Sequence, residues 1–122
     1  MYNAYVRGCD MSVTSEIIRG HTDTVILANL LCRDSYGYEI NKAIKRGTGG
    51  QYELNEATLY TAFRRLEEAG CITSYWGSEP NRARRKYYHI TEHGREVYQK
   101  RLEDWKAARD MIDQLIGAED AK

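Results

Sequence analysis

The sequence lacks cysteines in any CxxC spacing. Its three, Cys9, Cys32 and Cys71, are odd in number and widely separated, a pattern that fits reduced thiols better than a disulfide framework or a zinc site. No stretch approaches the length of a membrane-crossing helix, and the opening MYNAYVRGCDM has no apolar run of the signal-peptide kind, so a soluble cytoplasmic protein with no membrane partner is expected. Charge of one sign is not in excess either. Eighteen Lys and Arg balance eighteen Asp and Glu, and the whole-chain charge alone gives no warrant for a polyanion partner. There is no GxSxG, P-loop or GxGxxG. His89 and His93 are four apart but straddle a break at Thr91, which denies them the shared helical face a metal needs. Adjacent Glu67 and Glu68 point different ways. No catalytic residue, metal or cofactor is therefore expected, and the chain does not read as an enzyme. Internal repeats and low-complexity tracts are absent too.

What is present fits one domain with a modest core in 122 residues and 14.1 kDa. The stretch Asn55 to Gly70, NEATLYTAFRRLEEAG, is the best-marked helix. Leu59, Ala62, Phe63, Leu66 and Ala69 recur at steps of three and four and predict its core face. Opposite lie Ala57, Thr61, Arg64 and Glu68, flanked by Thr58, Tyr60 and Arg65. Asn55 is the expected N-cap, and Gly70 the left-handed stop.

Upstream, Met11 to Arg19 reads as a short helix carrying Ile17 and Ile18. A firmer one follows, with Thr22 or Thr24 as cap and Ile26, Leu27, Leu30 and Leu31 inward. Asp34 and Ser35 are expected to break it and cap a third helix, Tyr36 to about Arg46, on which Tyr36, Ile40, Ala43 and Ile44 share a face. Gly47 to Gly50 reads as a loop. After the marked helix, Cys71 to Trp76 and Arg85 to Ile90 are rich in β-branched and aromatic residues and predict an antiparallel hairpin, with Trp76, Tyr87 and Tyr88 as strand packing. Thr91 is expected to cap a last helix to Ile116, closed by Gly117.

The fold class is thus mainly α with a small β-hairpin: a winged helix-turn-helix plus a long C-terminal dimerisation helix. It divides into an N-terminal segment (1–19), the winged helix (20–91), the dimerisation helix (92–117) and a tail (118–122). Arg82 to Arg101 holds seven bases against two acids, a local net of +5, whereas Glu103 onward holds six acids against three bases, a net of −3. B-DNA's major groove admits one α-helix, whose first turns reach the base edges. Thr58, Tyr60, Thr61 and Arg64 are the expected reading residues. Arg82, Arg84, Arg85 and Lys86 sit where a wing meets phosphates or the minor groove, and Tyr36, Tyr38 and Lys42 can add phosphate contacts. A polar helix face or an arginine run alone is often merely solvated; their adjacency in one architecture favours DNA. The alternative is a winged-helix module that binds protein and no nucleic acid. A last helix of 25 residues would be about 38 Å long, longer than the domain beneath it, so part of the stripe Tyr98, Leu102, Trp105, Ile112 and Ile116 needs a second copy to cover it.

YGYEI at Tyr36 to Ile40, ATLYTAFRRLEEAGCI at Ala57 to Ile72, Trp76, and RRKYYHIT followed by Gly94 together resemble the PadR family of bacterial transcriptional regulators, over roughly Gly20 to Tyr98. The resemblance implies a homodimer with cross-packed C-terminal helices that binds a pseudo-palindromic operator, commonly as a repressor released by a small molecule. The chain is similar to compact members with a single helix after the wing. In multidrug-sensing relatives a tryptophan on that helix lines an apolar interface cavity, and Trp105 stands where it would, which implies a small hydrophobic or aromatic effector. Two positions depart from the pattern. Thr61 replaces a usual proline, and Ala83 interrupts the wing arginines.

Overall fold

The structure is a computed structural model and describes residues 16–78 and 84–117. Its elements run α1 (Thr22–Asn29), β1 (Ser35–Tyr36), α2 (Gly37–Gly47), α3 (Glu56–Glu68), β2 (Ile72–Trp76), β3 (Lys86–Ile90) and α4 (Glu92–Ile116). The order expected from sequence is present, with a small strand added. Residues 16–19 are helical ahead of α1; the rest of the expected N-terminal helix, from Met11, lies outside the described residues.

Periodicity accounts for the core. Leu59, Ala62, Phe63 and Leu66 of α3 are buried against Ile26 and Leu27 of α1, Ile40 and Ile44 of α2, and Ile72, Tyr88 and Ile90 of the sheet. Phe63 stacks on Tyr88 at 3.9 Å between ring centroids, so the centre of the domain is an aromatic pair shared by α3 and β3. Ala69 is exposed rather than on the apolar face, because the helix has already reached its C-cap there. Gly70 then takes a φ of 78°, the left-handed turn that starts β2.

The sheet has three strands, not the expected two. β3 is central, pairing antiparallel with β2 from Ile72↔Ile90 to Trp76↔Lys86 and with β1 at Ser35↔Tyr88 and Tyr36↔Tyr87. Tyr36 is therefore a strand residue and the N-cap of α2, not part of its helical face. A two-stranded hairpin would leave the outer edge of β3 unpaired, and Ser35 and Tyr36 satisfy it. Neither expected cap of α2 serves. The Ser35 hydroxyl donates to Glu39, and Asp34 accepts from Tyr75 at 2.6 Å and pairs with His89 at 2.8 Å. The expected caps of α1 fail as well. His21 occupies the N-cap position with no side-chain bond, and Thr22, already helical, donates its hydroxyl to the Arg19 carbonyl at 2.8 Å. α1 ends at Asn29, with Leu30 its C-cap and Leu31 beyond it, although both still pack on the core.

α4 begins on a tightly made corner. The Thr91 hydroxyl accepts from the Gly94 N–H at 3.0 Å and donates to the carbonyls of Gly70 and Cys71 at 2.7 and 3.0 Å. A Cβ on Gly94 would fall 2.1 Å from the Cys71 carbonyl oxygen, so glycine alone lets the helix start this close to β2. From there α4 lies along α1. Arg95 donates to the Leu31 carbonyl at 3.0 Å, Arg101 approaches Asp23 at 3.8 Å, and Trp105 meets His21 edge to face at 4.8 Å.

Candidate nucleic-acid interface

α3 is held rigidly at the end where a reading helix must be precise. The Asn55 side chain accepts from the Thr58 N–H at 2.8 Å, closing the first turn. The preceding turn is pinned by Asn41 of α2, which donates to the Leu54 carbonyl at 2.6 Å and accepts from the Leu54 N–H at 2.8 Å. At its other end α3 is tied to the sheet by Ser74 donating to Glu67 at 2.7 Å. With its core face fixed, α3 presents Ala57, Tyr60, Thr61 and Arg64 to solvent, with Thr58 half-buried. Among the described residues Arg64 makes no ion pair.

Arg65, expected on the flank of this face, is committed elsewhere. Its guanidinium makes a forked contact with Asp23 of α1, Nε lying 3.1 Å from Oδ2 and Nη2 close to Oδ1. The hydrogen bond to Asp23 pushes the Arg65 pKa further up, against the opposing effect of burial. Because Asp23 also faces Arg101, one carboxylate of α1 joins α3 to α4.

The wing approaches α3 across a groove of about 490 Å³. Tyr60 of α3, Tyr36 of β1 and Gly37 and Tyr38 of α2 form one side; Trp76, Arg84, Arg85 and Lys86 form the other. Of the DNA-contact residues expected from sequence, Tyr36, Tyr38, Tyr60, Arg84, Arg85 and Lys86 come together here. Lys42 stands beside them, its Nζ 5.5 Å from the Tyr38 ring. Thr58 and Thr61 line a separate groove with Arg19, Thr22, Ala57 and Arg65. Arg82 lies outside the described residues. The cations are arranged over aromatic faces: Arg85 over Tyr36 at 4.7 Å, Arg84 and Lys86 over Trp76 at 5.8 and 6.0 Å.

Two groove residues escape a sequence reading. Trp76, expected to pack within the strand, is 56% exposed, because the last residue of β2 lies beyond the layer covered by α3. Gly37 matters through space, since a Cβ there would fall 2.6 Å from the Tyr60 hydroxyl. Behind the wing, Asp34 links β2 and β3. Burial acts to raise its pKa, but the hydrogen bonds from Tyr75 and His89 outweigh it and hold the carboxyl below the usual range. In return Tyr75 is pushed up to about 12 by its bond to Asp34.

On α4, Leu102 and Trp105 are half-buried, whereas Ile112 and Ile116 are exposed along with Met111 and Leu115. No helix among the described residues is long and apolar enough to cross a membrane.

Three helices with the third packed on a three-stranded sheet, and a cationic hairpin at its side, define a winged helix-turn-helix protein. Residues 26–100 match the model of the PadR-like family of transcriptional regulators, and the chain belongs to that family. It is similar to a transcriptional regulator from Clostridium thermocellum, with 46% identity and a TM-score of 0.76 over 82% of this chain and 94% of that one. It is also similar to a PadR family regulator from Eggerthella lenta, with 28% identity and a TM-score of 0.80 over 93% and 96%. Bacillus subtilis PadR, solved in complex with operator DNA, shares the fold at 22% identity and a TM-score of 0.59 over 66% of this chain and 45% of that one. The matched part covers less than half of that protein.

Proposed function

We propose that this transcriptional regulator is a cytoplasmic homodimer that binds a pseudo-palindromic operator and represses until a small hydrophobic or aromatic effector releases it. The observation that carries DNA binding is that α3, which exposes the hydrogen-bonding groups of Tyr60, Thr61 and Arg64, shares through Tyr60 one groove with the wing cations Arg84, Arg85 and Lys86. Base edges are read by the first and phosphates held by the second. The operator complex of the Bacillus subtilis relative supports this reading at the level of the fold. Tyr36, Tyr38 and Lys42 add phosphate contacts beside the groove, and Thr58 lies at the N-terminal end of the reading face.

Dimerisation through α4 is supported by the exposed apolar residues near its end, Leu115 at 84% and Ile116 at 71% among them. A second copy would cover them. Leu102 and Trp105 line the approach to that interface, where an aromatic effector can alter the spacing of the two α3 helices; half-sites one helical turn apart require that spacing to be fixed.

Selection of bound fragments from genomic DNA, with and without aromatic compounds, tests the proposal. On a selected fragment, Arg64→Ala is expected to cost about 1–3 kcal/mol against the preferred base and relax specificity there, while Arg84→Ala weakens all sequences alike and reduces the salt slope by about 1. Identical behaviour of the two variants would sink the division between reading helix and anchoring wing. A dimer that retains no duplex even at low salt would make the chain a protein-binding module instead.

A further inference from the structure

Trp76 is a large apolar ring left in water at the root of the wing. Its two flanking cations, Arg84 and Lys86, stand over the ring, and Arg84 also donates to the Gly77 carbonyl at 3.4 Å, so the indole holds both charges at the groove rim. Across the groove stands the Tyr60 hydroxyl, seated over Gly37. No described residue lining the groove is a carboxylate. The interior is therefore cationic at the rim and aromatic on both walls.

A helix in the major groove and a wing at the minor groove are separated on duplex DNA by one sugar-phosphate strand, so whatever lies between α3 and the wing must accept that strand. We propose that the groove between Tyr60 and Trp76 seats a single sugar-phosphate strand of duplex DNA, with the Trp76 indole packed on deoxyribose and Arg84 and Lys86 on the adjoining phosphates. This rests on the DNA-binding reading above and adds a contact residue to it. Packing on sugar rings carries no sequence information, and Trp76 therefore contributes to affinity for every duplex.

The chain holds two tryptophans, Trp76 and Trp105, which makes the indole its own reporter. A labelled mixed-sequence duplex is titrated at low salt into the full-length wild type, Trp76→Phe and Trp76→Ala, following DNA anisotropy and protein emission together. Wild-type emission is expected to change with the same midpoint as the anisotropy, and that change is expected to vanish in Trp76→Phe. Trp76→Ala should bind about tenfold more weakly, with Trp76→Phe intermediate and both variants retaining the wild-type circular dichroism. An emission change that survives in Trp76→Phe, or wild-type affinity in Trp76→Ala, overturns the strand seat while leaving DNA binding intact. Absence of any anisotropy change in the wild type instead removes the DNA-binding reading and the seat with it.

Discussion

Replacing Asp23 by asparagine tests whether α1, α3 and α4 move as one body. The Asp23 side chain is 11% exposed and faces Arg65 and Arg101, themselves about half exposed. Breaking a fully buried pair costs about 3–5 kcal/mol and an exposed one about 0–1. With the carboxylate buried and the guanidinium groups wet, solvent screening places this tie at about 1.5–2 kcal/mol. For 122 residues, an unfolding entropy of roughly 2.1 cal/mol/K per residue converts each kcal/mol into about 4 °C, so a drop in Tm of roughly 6–8 °C is expected. Scanning calorimetry at one fixed protein concentration measures it, because association would otherwise shift Tm. A double-mutant cycle with Arg65→Met isolates the pair and should give a coupling of about 1 kcal/mol. If Asp23→Asn lost less than about 0.5 kcal/mol, or the two changes simply added, the carboxylate would not be joining the helices.

Gly94→Ala should destabilise by roughly 3 kcal/mol, since its Cβ would lie 2.1 Å from the Cys71 carbonyl oxygen and 2.8 Å from Ile90. Helix propensity alone favours alanine by about 1 kcal/mol, so a rise in the urea midpoint would refute the steric argument. The bond from Tyr75 to Asp34 has a pH signature at both ends. Tyr75 is raised to about 12, so the stabilisation it gives is full below about pH 10 and lost as pH climbs toward its folded value; Asp34 is lowered, so its share is present above about pH 4 and lost in acid. Tyr75→Phe should delete one late-titrating phenol from the ultraviolet titration and leave Tyr88, raised to about 12 by burial. Loss of an ordinary phenol instead would show that the bond does not hold in solution.

The sequence by itself determined the elements whose cause is local. Three-and-four spacing placed Leu59, Ala62, Phe63 and Leu66 in the core, Asn55 and Thr91 cap α3 and α4 with their own side chains, and Gly117 ends α4 in the left-handed region. These depend on neighbours within one or two turns, and neighbours are what a sequence displays. Tertiary structure decided the rest. Ser35 and Tyr36 are a strand because a distant edge of β3 needs hydrogen bonds, and Arg65 turns from the exposed polar face of α3 because a carboxylate 42 residues away is buried beside it. Trp76 is exposed because the layer covering β2 stops short of its end, and Gly37 is required because Tyr60 of another helix occupies the space above it. Each of these follows from which surfaces meet after the chain has closed over tens of residues, a quantity that residue spacing does not contain.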